Sequence, residues 1–132
     1  MPPGVRAVVQ SGWSGLTASD SDDVLTIDDT PHHWLFPRTA AVIHHAGAGT
    51  TTAAALLAGT PTIPVPAQLD APFWSARLTR LGVTPGPVRL AAAIRQTLDT
   101  PQYRQHAQAI ATTLAKEDGT TKVLATIDRL AD

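Results

Sequence analysis

The segment from Ala40 to Gly59 constrains the fold more than any other part of the sequence. It opens with a short apolar run, AAVIH, which is typical of a buried strand. A glycine turn follows, and the alanine- and leucine-rich stretch from Thr50 to Ala58 then predicts a helix that ends at Gly59. A strand that passes through a tight turn into a helix is the repeating unit of a parallel α/β sheet.

Short apolar strands alternate with helices along the rest of the chain, which predicts the α/β class. We expect a Rossmann-like parallel sheet with helices on both faces. We treat residues 1–132 as one domain, since this length suffices for one hydrophobic core but not for two ordinary ones. The other predicted strands are residues 5–10, 24–27 and 62–65, and the later helices are residues 71–81, 89–98, 101–117 and 120–130.

Charge and composition exclude several classes of partner and site. The formal net charge is -1 and no basic run is present, so we expect neither a nucleic acid nor an anionic membrane as partner. The chain has no cysteine, which excludes disulfides and thiolate metal sites. No apolar run approaches the roughly 18 residues of a membrane span, and the first residues lack the pattern of a secretion signal. The expected location is the cytoplasm.

Four predicted loops follow strands, and parallel sheets bind ligands beyond the carboxyl ends of their strands. These loops are residues 11–15, 28–33, 45–50 and 67–70. Aromatic side chains near them are expected to lie in the core rather than to stack on a ligand. They are Trp34, Phe36, Phe73 and Trp74.

The loop that begins at His45 has the chemistry of an anion site. The first amides of a helix lack internal partners and lie at the positive end of the helix dipole. Gly47 and Gly49 let a phosphate approach the backbone without meeting a Cβ. Thr50 and Thr51 can donate from their hydroxyls and His45 from its imidazole. Taken alone, however, Gly-x-Gly also suits a plain strand-to-helix turn.

Two better-known glycine motifs fit this loop less well. No Gly-Lys-Ser/Thr follows, so the loop is not a P-loop. Thr52 stands where the dinucleotide fingerprint has its third glycine. Asp70 nevertheless lies roughly 20 residues after the turn, where a ribose-binding acid would stand, so a dinucleotide-binding module remains an alternative.

The wider pattern resembles the donor-binding signature of family 1 glycosyltransferases of the GT-B fold, most closely the bacterial natural-product and sterol types. The matching segments are HHAGAGTT from His44, AGTP from Ala58, Pro66, and DAPFW from Asp70, supported by SGWSG and PHHWLFP. The resemblance covers roughly residues 5–118. It implies an incomplete carboxy-terminal half of a GT-B fold, that is, a partial nucleotide-sugar-binding domain.

The resemblance also implies roles for individual residues. His45, the backbone at Gly49 and the hydroxyl of Thr50 would hold the diphosphate, and Asp70 would accept hydrogen bonds from sugar hydroxyls. Asp70 is also predicted to be the N-cap of the next helix. Segment 30–32 would lie against the base, and Trp13 is either a flank of the nucleotide or a buried loop residue. The full predicted donor-binding set is Trp13, Thr30, His32, His45, Gly47, Gly49, Thr50, Thr51 and Asp70.

Three positions depart from the family pattern. Ala46 replaces a glycine, and Asp29 stands where plant relatives carry a tryptophan that stacks on uracil. Ala71 replaces the glutamine after Asp70, which removes an amide able to bind sugar hydroxyls. We hypothesise that this loss shifts preference toward a deoxygenated sugar or weakens donor binding, because the site lacks a hydrogen-bond partner for one hydroxyl.

The family's acceptor-binding half, which carries the catalytic histidine, is not in this sequence. We therefore expect no catalytic residue, no metal site and no cofactor beyond the nucleoside-diphosphate sugar itself, for example a UDP-sugar. The expected activity is that of a donor-binding part, inactive alone, of an enzyme that moves a hexose or deoxyhexose to a small lipophilic acceptor. The family's opening strand is also missing, so we expect pairing with an amino-terminal half, a complementary chain or a second copy. A non-catalytic partner subunit is the other alternative.

Overall fold

A computed structural model describes residues 4–12 and 21–131, and its elements alternate as predicted. The strands are β1 (Ala7–Gln10), β2 (Val24–Ile27), β3 (Val42–His44) and β4 (Thr62–Pro64). The helices are α1 (His32–Leu35), α2 (Ala53–Leu57), α3 (Ala71–Arg80), α4 (Leu90–Asp99), α5 (Pro101–Leu114) and α6 (Gly119–Ala131). A 3-10 turn (Phe36–Arg38) follows α1, and a π-helical turn (Ala48–Thr52) leads into α2. The α/β class is confirmed.

The strands run in parallel, as predicted, but they form two separate pairs. In the β1–β2 pair Ala7 lies opposite Val24, and in the β3–β4 pair Ile43 lies opposite Ile63. Within residues 4–12 and 21–131, no strand of one pair is the ladder neighbour of a strand of the other pair. In this part of the chain each of the four strands therefore keeps one edge that no other strand pairs with. The sequence pattern does not reveal this division.

Helices cover both faces of the β3–β4 pair, as expected for this class. Val42 lies opposite Thr62, and successive side chains of a strand point to opposite faces. Val42 and Ile63 therefore lie on opposite faces of the pair. Val42 packs with Phe36 and Ala55 on the side of α1 and α2. Ile63 packs with Ala93 and Ile94 of α4 on the other side. The pair is thus the centre of the described fold.

A third apolar cluster joins the helices beyond the sheet. Leu78 of α3 and Ala107 of α5 are buried against Val83, and Leu56 of α2 packs beside them. Gly59 ends α2 with φ +63°, and a Cβ there would lie 3.3 Å from the Cα of Gln108. This glycine therefore permits both the left-handed turn and the close approach of α5.

The final helix, α6, is exposed along its whole described length. Its apolar side chains share this exposure: Val123, Leu124, Ile127 and Leu130. Among residues 4–12 and 21–131, none of the helices combines the length and the apolar character that a membrane crossing demands.

Gly59→Ala should destabilise the fold by roughly 1–2 kcal/mol, because alanine is strained in the left-handed region and its Cβ would press on α5. The free energy of unfolding in urea measures the effect. Gly119→Ala is the matched control, since nothing lies within 4 Å of a Cβ at that position. Equal stability of the Gly59 variant and the parent would contradict this account.

Candidate functional site

The glycine loop lies at the carboxyl edge of the β3–β4 pair. β3 ends at His44, and helical winding begins at Ala48, two residues earlier than the predicted Thr50. The difference arises because the Thr52 N–H donates to the Gly47 carbonyl oxygen at 3.2 Å, the five-residue spacing of a π turn. The amides before Thr52 belong to the first turn, where a helix leaves its N–H groups without main-chain partners.

The imidazole of His45 lies over Gly47. Gly47 has φ -66°, a conformation open to any residue, so its backbone does not require glycine. A Cβ there, however, would come within 2.5 Å of Nε2 of His45. The missing side chain therefore makes room for the histidine ring, and two predicted site residues lie together.

The next residues of the loop face open space. Gly49 and Thr50 are exposed, and Thr51 is half-buried. No protein atom lies within 4 Å of a Cβ built at Gly49. Nothing inside the protein thus requires glycine here, and a ligand has free access to this backbone.

The other end of the loop is closed. His44 is buried, and its Nδ1 accepts a hydrogen bond of 3.1 Å from the N–H of Ala46. Burial lowers the pKa of His44 to about 4, and neighbouring His45 acts in the same direction. His44 is therefore neutral, with its proton on Nε2, a buried atom without a hydrogen-bond partner.

Ala46, which stands where the family pattern has glycine, lies in a backbone conformation that is unfavourable for alanine. It is fully buried and has φ +64°, in the left-handed region that favours glycine. The bond from its N–H to His44 stabilises this conformation. His44 thereby helps to shape the turn that leads to Gly47.

Parallel pairing brings Asp70 to the same edge as the glycine loop. The Val65 N–H donates to the His44 carbonyl oxygen at 2.7 Å, so the segment after β4 starts beside the loop after β3. This segment is exposed up to Asp70, which precedes α3. Two of the four loops expected to converge on a ligand thus begin side by side.

Asp70 holds the N-cap position of α3, as predicted, but its side chain does not cap the helix. Its backbone is already helical (φ -86°, ψ -1°), and its side chain makes no cap hydrogen bond, because a capping residue needs an extended backbone to reach the helix amides. Its Oδ2 instead accepts a hydrogen bond of 2.8 Å from the indole N–H of Trp74. Sequence reasoning missed this pairing, although the four-residue separation within DAPFW places both side chains on one side of the helix start.

Thr30 and His32 follow β2, in the other strand pair. The Thr30 hydroxyl donates to the Asp28 carbonyl oxygen at 3.3 Å, and α1 has no side-chain cap. The His32 ring stacks on Phe36 at 4.5 Å between centroids. Phe36 packs against Val42 of β3 and Ala55 of α2, the strand and the helix on either side of the glycine loop. The stacking therefore connects the segment after β2 to these two elements. Trp13 lies outside the described residues.

Of the four aromatic side chains that were predicted to lie in the core, only Phe36 is buried. Trp34 is 52% exposed and stacks with Arg38 at 4.6 Å, and Phe73 is 62% exposed. Trp74 is half-buried. In the described part of the chain, no three histidine, aspartate or glutamate side chains are grouped so that they could hold a metal ion.

Known proteins share both the sequence and the fold of this chain. The family model described as erythromycin biosynthesis protein CIII-like, C-terminal domain, matches residues 5–130. Sterol 3-beta-glucosyltransferase UGT80A2 of Arabidopsis thaliana is 41% identical over 86% of this chain and 19% of its own length. O-mycaminosyltylonolide 6-deoxyallosyltransferase of Streptomyces fradiae is 38% identical over 83% of this chain and 28% of its own.

The structural likeness agrees with these relatives. The crystal structure of glycosyltransferase VinC in complex with dTDP superimposes with a TM-score of 0.72 at 28% identity, covering 84% of this chain and 30% of that one. Our chain thus spans less than a third of the length of each of these proteins.

Acid should destabilise the fold through His44. Its pKa is about 4 in the folded chain and 6.5 without the fold, so its stabilisation is complete above pH 6.5 and is lost as the pH falls toward 4. Between about pH 7.5 and about pH 5, urea unfolding should lose about 2 kcal/mol more in the parent than in His44→Gln. The exposed His33→Gln is the control and should retain the parental pH dependence. Identical pH dependence of His44→Gln and the parent would refute this role.

Proposed function

This chain belongs to the erythromycin biosynthesis protein CIII-like, C-terminal domain family, and from that premise we propose that residues 1–132 form part of the donor-binding domain of a GT-B glycosyltransferase. The observation that carries the proposal is the edge of the β3–β4 pair. There an open glycine loop and the exposed carboxylate of Asp70 follow neighbouring parallel strands. This is the edge at which parallel sheets bind nucleotides.

The glycine loop would bind the diphosphate of the donor. First-turn amides and the positive end of the helix dipole favour an anion, and the backbone at Gly49 is open to it. The hydroxyls of Thr50 and Thr51 and the imidazole of His45 are exposed or half-exposed beside these amides. Each can add a hydrogen bond to a phosphate oxygen.

Asp70 would bind the sugar, and the loop after β2 would bind the base. A carboxylate accepts several hydroxyl hydrogen bonds at once, which suits a hexose. Ala71 is buried, and its methyl group offers the sugar no hydrogen bond. A donor sugar that lacks one hydroxyl would therefore lose no hydrogen bond at this position, which supports either a hexose or a deoxyhexose as the sugar of the donor. Thr30 and His32, with Trp13, are the proposed contacts to the base.

Transfer of the sugar would require a second half of the enzyme. Displacement at a sugar carbon needs a base that deprotonates the acceptor hydroxyl. His44 is buried and its Nδ1 is already occupied by Ala46. We assign the base, and the pocket for a small lipophilic acceptor, to an amino-terminal GT-B half or a complementary chain. The edges of β1 and β3 offer such a segment, or a second copy, a place to pair.

Gly49→Ala should weaken the binding of UDP or dTDP by about tenfold, because the new Cβ would occupy the space of a phosphate. The unfolding free energy should stay equal or rise slightly, since alanine suits a helical turn better than glycine. Calorimetric titration measures the affinity, with Gly119→Ala as control. Unchanged affinity in the Gly49 variant, or binding of NAD rather than of UDP or dTDP, would overturn the phosphate assignment.

Sugar transfer should require a partner. We expect no turnover of UDP-glucose with a sterol acceptor by this chain alone, and turnover when it is co-expressed with the amino-terminal half of a sterol glucosyltransferase. Product formation is followed by mass spectrometry. Turnover by the chain alone would disprove the requirement. A stable complex that binds the donor but does not turn over would favour the non-catalytic subunit.

A further inference from the structure

The indole of Trp74 and the carboxylate of Asp70 form one unit at the start of α3. The indole N–H can only donate and an ionised carboxylate can only accept, so their bond of 2.8 Å has a single direction. No other hydrogen bond to this carboxylate occurs in the described part of the chain. Oδ2 is therefore engaged and Oδ1 is available.

Helix capping does not account for this bond. The Asp70 side chain bonds no amide of α3, and it is exposed. An exposed hydrogen bond adds little net stability, because water competes for both partners. Its main physical consequence is to restrict the orientation of the carboxylate.

The tryptophan ring, in contrast, is half-buried. It lines a cavity of about 460 Å³ between α2, α3 and α5, beside Leu78 and Ile110. Phe73 meets it edge to face, with 5.3 Å between the ring centroids. A half-buried ring has fewer accessible rotamers than an exposed one, so its hydrogen bond can restrict an exposed carboxylate that would otherwise sample several rotamers.

We propose that Trp74 is a positioning residue for the donor sugar: its indole N–H holds Oδ2 of Asp70, so that Oδ1 is presented to the sugar hydroxyls. This inference rests on the proposed sugar-binding role of Asp70. Trp74 acts through the carboxylate and need not touch the ligand. We expect its contribution to be confined to the sugar, because it acts through the carboxylate that is assigned to the sugar.

Trp74→Phe removes the N–H and retains an aromatic ring in the cavity. We expect the affinity for UDP-glucose to fall about three- to tenfold, by the loss of one oriented charge-assisted hydrogen-bond partner, and the affinity for UDP to stay unchanged. Calorimetry with both ligands gives the ratio of the two affinities, and thermal unfolding reports stability. Trp34→Phe is the matched control, since that indole is exposed and stacks with Arg38 instead of bonding a carboxylate.

Asp70→Ala and the double variant Asp70→Ala/Trp74→Phe distinguish the positioning role of Trp74 from the sugar-binding role of Asp70. If Trp74 acts through Asp70, Asp70→Ala alone lowers the UDP-glucose affinity and adding Trp74→Phe causes no further loss. Additive losses, or equal losses for UDP and UDP-glucose, would show a merely structural role. Loss in Asp70→Ala but not in Trp74→Phe would overturn the positioning role and leave the sugar-binding role intact. No loss in Asp70→Ala would refute the sugar-binding role itself.

Discussion

The rest of the described structure depends on the parallel pairing of β3 with β4. The Val42 N–H donates to the Pro61 carbonyl oxygen at one end, and the Val65 N–H donates to that of His44 at the other. Because parallel strands end at the same edge, the glycine loop and the segment leading to Asp70 start side by side. Helices α2 and α4 bury opposite faces of the pair and hold this edge in place.

The start of the glycine loop is buried and its later residues are exposed to solvent. The two parts differ in what they contribute. At the closed end, neutral His44 accepts the N–H of Ala46 and stabilises a left-handed residue. At the open end, Gly49 leaves the backbone accessible. The proposed binding of a diphosphate would use both properties: a turn that is fixed before the ligand arrives, and first-turn amides without main-chain partners.

Local patterns in the sequence predicted most elements of the described fold. The strand at residues 24–27 has the predicted bounds, and β1, β3 and β4 are shorter than predicted. Errors occurred where the outcome depends on neighbours. Hydrophobicity placed Trp34 and Phe73 in the core, but their helix faces meet no covering layer and both are exposed. The Asp-Ala-Pro pattern favours an N-cap, yet the helical backbone of Asp70 prevents the side-chain cap hydrogen bond.

The sequence by itself determined the α/β alternation, the glycine loop and the family, because periodicity and motif spacing are local properties of the chain. Only the tertiary structure decided that the strands form two separate pairs, since hydrogen bonding between strands depends on segments far apart in sequence. It likewise decided that His44 is neutral, because its pKa follows from burial by surrounding elements. It also showed that Trp74 bonds Asp70, a contact that requires particular rotamers of both side chains.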